Sequence, residues 1–133
     1  MQAINELTMP LVQPHLLPGE IVLDKGPARS IGLADQIWED TERKFGRGFM
    51  GRGKLLHADW VATTKALFFV AFNAQQVYRW DWNVIKSITP KKGRFGRGKA
   101  DIEFESWPPI DLHSSGLGIE ALAKIYETWL DLR

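Results

Sequence analysis

Two stretches of the chain repeat the tetrapeptide Phe-Gly-Arg-Gly, at Phe45–Gly48 and Phe95–Gly98, and each lies inside a run of cations. The first run carries Arg43, Lys44, Arg47, Arg52 and Lys54, the second Lys91, Lys92, Arg94, Arg97 and Lys99, and neither contains an acid. Glycine exposes backbone N–H groups and admits positive φ, the arginine fork matches two phosphate oxygens, and an adjoining phenylalanine can stack or insert. That combination suits an anionic lipid headgroup, a phosphorylated ligand or a nucleic-acid backbone. The competing reading is a pair of solvated hairpin tips, which tolerate charge and glycine freely. Candidate anion or lipid contacts are Lys44, Arg47, Arg52, Lys54, Lys91, Lys92, Arg94, Arg97 and Lys99. Candidate interaction residues are Phe45, Phe95 and Trp107, the last beside Pro108-Pro109.

Other chemistry finds little to use. There is no cysteine, hence no thiol nucleophile, thiolate metal site or disulfide, which fits a cytoplasmic protein. His15, His57 and His113 lack the close spacing of metal ligands. No Gly-x-Ser-x-Gly elbow or phosphate-loop lysine is present. Asp101, Glu103 and Glu105 alternate outward along a predicted strand and read as a solvated face. The expectation is a non-enzyme without metal or cofactor.

The net charge of +1 conceals a polarised distribution. Ten of the seventeen basic residues fall in the two glycine-rich runs, leaving seven against sixteen acids elsewhere, a balance of −9. Such asymmetry bears on partners rather than on fold. At 133 residues, 44% apolar and 25% charged, the chain suits one globular domain. Its longest apolar run, Ala66 to Phe72, is strand-sized, far below the roughly 20 residues that span a bilayer. The first residues lack the basic start and apolar core of a secretory signal.

The elements that must hold these loops are mostly β. Residues 1–17, broken by Pro10 and Pro14, read as a peripheral lead-in. Glu20 to Lys25 reads as a strand ended by Gly26-Pro27, whereas residues 33–43 fit a short amphipathic helix only over a brief pattern. Strands follow at Leu55–Ala62, with Leu56, Ala58, Trp60 and Ala62 on one face, and at Leu67–Phe72 before an Asn73-Ala74 turn. Tyr78, Trp80, Trp82 and Val84 form the aromatic face of another, which leads through Ile85 and Ile88 into the second basic loop. Ile102 and Phe104 point inward, and a hairpin through Trp107-Pro108-Pro109 returns Ile110 and Leu112 to the same core. Then the period changes. Ile119, Leu122, Ala123, Tyr126, Trp129 and Leu130 give one apolar stripe on a helix that Ser114 or Ser115 can cap, with Gly116 and Gly118 loosening its start. Trp129 belongs in the helix–sheet core, Trp60, Trp80 and Trp82 in the core or barrel wall, and Trp38, like Trp107, is a candidate exposed contact. Short antiparallel strands plugged by one terminal helix make an α+β domain.

The order of these elements resembles bacterial PH domains and the similar GRAM domains. The resemblance is carried by Pro18-Gly19-Glu20-Ile21-Val22, Lys25-Gly26-Pro27-Ala28, Gly53-Lys54-Leu55, the run from Val61 to Phe69, and Trp82 to Ile88. It covers residues 18–133, with an inserted segment at about 29–52 that holds most of the first basic loop. It implies a PH-like bent antiparallel β-barrel of about seven strands capped by one C-terminal α-helix, and a non-catalytic binding module. Family members bind acidic lipid headgroups or proteins. Three functions stay open: peripheral recognition of an anionic membrane or phosphorylated ligand, at the inner face of the membrane; protein interaction or self-assembly; and nucleic-acid binding. Nucleic acid ranks last, because the acidic remainder would repel a long polyanion. The two loops converge on one rim in the first reading, where fields add within about 8–10 Å.

Overall fold

The structure, a computed structural model, describes residues 8–45, 58–71 and 75–133. Seven strands form two antiparallel sheets. β1 (Val22–Ala28), β2 (Ala58–Thr63), β3 (Ala66–Ala71) and β4 (Gln76–Asp81) make a four-stranded meander, and β5 (Ile85–Lys92), β6 (Arg97–Phe104) and β7 (Ile110–Ser115) a three-stranded one. Helix α1 (Ile31–Phe45) follows β1, and α2 (Gly116–Leu132) ends the chain. The ambiguous stretch at 33–43 is thus a full helix. Ser30 starts it by accepting from the Leu33 N–H at 3.2 Å.

One core lies between the sheets. Trp60, Leu67 and Phe69 meet Ile102, Phe104, Ile110 and Leu112, and α2 contributes Ile119, Leu122 and Tyr126. Helix α1 adds Leu33, Ile37 and Trp38, so Trp38 is buried, not an exposed contact. Val61, Phe68 and Val70 point to the opposite face of the first sheet, where Val12 of the helical segment 8–12 covers them. Burial on both faces is why β3 reads as a continuous apolar run rather than an alternating one, and β2 is buried on both faces as well. Thr8 ties this cover down by donating to Asp59 at 2.7 Å.

Several boundaries differ from the sequence reading. β1 continues through Gly26-Pro27 because it is an outer strand of its sheet, where a missing N–H is tolerated. The aromatic strand stops at Asp81: Trp82 to Val84 form a 3₁₀ turn that carries the chain from one sheet to the other. Trp129 is only partly buried, stacked on Tyr126 near the end of α2, while Tyr126 is fully inside and donates to the Ile85 carbonyl at 2.7 Å. The Trp107-Pro108-Pro109 segment does connect antiparallel strands, with Ile102 opposite Ile110.

The sheets meet along β1 and β7. Arg29 and His113 exchange backbone hydrogen bonds at 2.9 and 2.7 Å. Beside them Ser114 Oγ accepts from the Trp60 indole at 3.1 Å and donates to the Pro27 carbonyl at 2.6 Å. Gly26 pairs with Trp60 across the ladder, and a Cβ there would stand 2.8 Å from the indole nitrogen. Gly118 is equally constrained rather than loosening the helix start, since its Cβ would meet Ser115 Oγ at 2.9 Å and Ser114 Oγ at 3.1 Å. Ser115 caps α2 through the Gly118 N–H at 3.0 Å.

Near the other edge, Glu20 accepts from Arg79 at 2.8 Å and from the Leu17 N–H at 2.9 Å, and is hydrogen-bonded to Thr63. Burial opposes its ionisation, yet these bonds hold its carboxyl below the ordinary value of 4.5.

Two outcomes follow. Ser114→Ala strands a buried indole N–H and lowers the unfolding free energy by about 1–3 kcal/mol, whereas the same change made in a Trp60→Phe background, where the donor is already gone, costs less in urea melts. Glu20 is depressed in the fold, so its stabilisation is complete above the unfolded carboxyl pKa and is lost as pH falls through the folded one. Glu20→Gln therefore flattens the loss of stability between about pH 5 and 3 relative to wild type; parallel acid limbs would remove Glu20 from that role.

Candidate functional site

The second basic run is a hairpin rather than a long loop. Lys91 and Lys92 belong to β5, Arg97 to Lys99 belong to β6, and only residues 93–96 turn. Lys92 faces Gly98 and Lys91 faces Lys99 across the ladder. The Arg97 N–H donates to the Arg94 carbonyl at 3.1 Å, with Phe95 at φ 57° and Gly96 at φ 73° between them. Two positive φ values in the middle of a four-residue turn mark type I′, whose ordinary residues are Asn-Gly. Glycine fills the second position as expected. Phenylalanine fills the first, in a conformation that disfavours it, and is 98% exposed. No packing among the described residues accounts for it.

Tight apposition fixes the hairpin to α2. The Gly116 N–H donates to the Gly96 carbonyl at 2.7 Å, and a Cβ on Gly98 would reach the Gly116 Cα at 3.0 Å. The turn is therefore held at the N-terminal end of a long helix, where the backbone dipole is positive.

The cations here are not equivalent. Lys91 and Lys99 lie 2.9 and 3.5 Å from Asp101, which is consequently not an idle solvated acid. Hydrogen bonding from Lys91 holds the Asp101 carboxyl below its usual range, and the same contact raises the Lys91 ammonium. Lys92, Arg94 and Arg97 are exposed and form no ion pair among the described residues, although Glu120 of α2 lines a smaller hollow together with Lys92 and Arg97. Arg29, just past β1, joins them through its bridge to His113, and it too is exposed without an acidic partner there. His113 Nε2 is engaged with Asp111 at 2.8 Å.

Two adjoining hollows have Phe95, Arg97 and His113 in common. One, about 470 Å³, lies between Arg29, Phe95, Arg97, His113 and Ser114. The other, about 720 Å³, is lined by Lys91, Lys92, Arg94, Phe95 and Lys99 together with Arg97. The sequence reading missed Arg29 and His113. Nothing local to either marks it, because only the β1–β7 pairing brings them to the hairpin.

The first basic run lies largely outside the described residues, including Arg47, Arg52 and Lys54, as do His57 and the Asn73-Ala74 turn. Lys44 and Phe45 fall on the last turn of α1 rather than in a loop, with Lys44 exposed. Trp107 stands 38% exposed, edge-on to Tyr78, Trp80 and Phe104, beside a cleft of about 250 Å³ shared with Leu33, Gln36 and Pro108. His15 is exposed, and no group of three or more candidate metal ligands exists among the described residues. No helix among those residues is long and apolar enough to cross a membrane.

No family model matches the chain, and no curated protein matches it. Among solved structures, the C-terminal domain of an unknown protein from Leishmania infantum has the same fold. It superposes with a TM-score of 0.63 at 16% identity, over 96% of this chain and 98% of that one. The likeness covers the α+β architecture and carries no ligand with it.

Phe95 offers a direct check on the turn. Phe95→Asn relieves the left-handed strain and raises the unfolding free energy by about 1 kcal/mol. An unchanged or lower melting temperature would mean that the side chain is held by contacts within the protein.

Proposed function

We propose that this chain is a non-catalytic, PH-like binding module that takes a phosphate-bearing anion at the β5–β6 hairpin. A single observation carries the reading: Lys92, Arg94, Arg97 and Arg29 gather on one rim and none of them forms an ion pair among the described residues. Four exposed cations against the single nearby Glu120 leave an excess of positive charge that a dianion or an anionic surface satisfies. Arg97, common to both hollows, is the central ligand, and Arg94 at the turn is the outermost. The PH-like assignment is supported by the four- and three-stranded antiparallel sheets, the C-terminal helix and the motifs quoted above. The chain then works at the cytoplasmic face of a membrane or on a soluble phosphorylated ligand. Protein interaction is the second reading, favoured by the half-exposed Trp107 over its cleft.

Both sources of phosphate are tested together, with an inositol polyphosphate in solution and vesicles containing phosphatidylserine. Each cation near an anionic surface contributes roughly 1 kcal/mol. Arg94→Ser with Arg97→Ser therefore weakens binding roughly tenfold or more, and raised salt imitates the substitution, while the melting temperature barely moves. Binding of neither probe by the wild-type chain at low salt rejects the proposal and promotes the Trp107 cleft.

A further inference from the structure

The rim that collects the cations also carries two of the most exposed apolar side chains described. Phe95 is 98% exposed and Leu117 is 80% exposed. They lie on different elements, yet the hydrogen bond from the Gly116 N–H to the Gly96 carbonyl brings their backbones close together, because each is the chain neighbour of a bonded residue. Both are built rigidly. Phe95 sits in a two-residue turn whose left-handed backbone disfavours it. Leu117 occupies the first turn of a capped helix. A soluble phosphate compound would find its ligands in the arginines and would have no use for apolar side chains projecting beyond them.

Resting on the anion-binding reading above, we infer that the anion is presented by a bilayer, and that Phe95 and Leu117 enter its interface while Arg94, Arg97 and Lys92 engage the headgroups. Charge complementarity selects this occupant. An aromatic ring settles at the headgroup level, and flanking arginine and lysine keep their charged ends in the polar layer while their stems lie along apolar surface. The division of labour is definite. Cations supply long-range, salt-sensitive attraction, and the two apolar side chains supply a short-range component that salt does not screen. Phe95 at the first position of a type I′ turn, where asparagine is more stable, is then a local cost retained for insertion.

The experiment compares wild type, Phe95→Ser with Leu117→Ser, Phe95→Asn, and Arg94→Ser with Arg97→Ser. Each is tested against neutral vesicles, vesicles containing phosphatidylserine, and a soluble inositol polyphosphate. Losing insertion of one or two apolar side chains weakens binding to the anionic vesicles roughly tenfold and abolishes the fraction that survives high salt. The same variant keeps its affinity for the soluble compound. The arginine variant loses both. Phe95→Asn should bind vesicles less while melting higher than wild type, which separates insertion from folding. The absence of any native cysteine allows a Phe95→Cys chain to carry a single environment-sensitive fluorophore, whose emission shifts to the blue on anionic vesicles. Equal vesicle binding by wild type and the serine pair, or no spectral shift on bound vesicles, overturns insertion while leaving anion recognition standing. Binding to the soluble compound without any binding to vesicles does the same. Binding to neither removes both.

Discussion

One indole sets the geometry on which the rest depends. Trp60 is 1% exposed, starts on the second strand of one sheet and ends at the last strand of the other, where its N–H reaches Ser114. A buried indole must place that hydrogen, and Ser114 passes the bond on to the Pro27 carbonyl, so three strands are tied through one hydroxyl. The ring also dictates its neighbours. Gly26 is glycine because a methyl group would lie within 2.8 Å of the indole nitrogen, and Gly118 lies over the same hydroxyl and ring. The joint between the sheets thus sits directly below the Arg29–His113 bridge, and the candidate site inherits its position from an interaction that has no chemistry of its own.

This arrangement explains what was legible in the sequence. The alternation of Ile102, Phe104, Ile110 and Leu112 and the stripe of Ile119, Leu122 and Tyr126 appear directly in the core, since each is a periodic pattern forced by a single buried face. The unbroken run from Ala66 to Ala71 is equally informative once the segment 8–12 is recognised as a second cover. Punctuation proved less reliable than period. Gly26-Pro27 looked like a terminator and is an edge strand; Trp82 kept the aromatic alternation while leaving the strand; Gly118 looked permissive and is packed. In each case glycine, proline or tryptophan answers a partner distant in sequence, which no local pattern encodes.

The candidate site was legible as composition but not as arrangement. Ten cations in two runs mark the sequence as polarised, yet equal counting of charges is misleading within the described second run. A strand places residues two apart on one face, and the antiparallel ladder then sets Lys91 opposite Lys99 with Asp101 near both. One acid outside the run therefore engages two of its lysines. Arg29, which belongs to neither run, takes a place beside Arg97 instead. The effective positive field comes from a different set of residues than the sequence highlights, although it arises from the same hairpin.

The fold and the site also divide their stability differently. The indole relay, the Glu20–Arg79 pair and the two-sided burial of β2 and β3 are all interior or shielded, so salt and surface substitution reach them weakly. The hairpin tip is the reverse: exposed cations, a strained phenylalanine and a leucine exposed among the described residues, held from beneath by glycines packed against α2. Features that destabilise a surface persist when the scaffold tolerates them and something outside the protein compensates. A rigid base under a locally unfavourable tip holds its cations without first having to order them, so in the binding proposed above less ordering entropy would be lost.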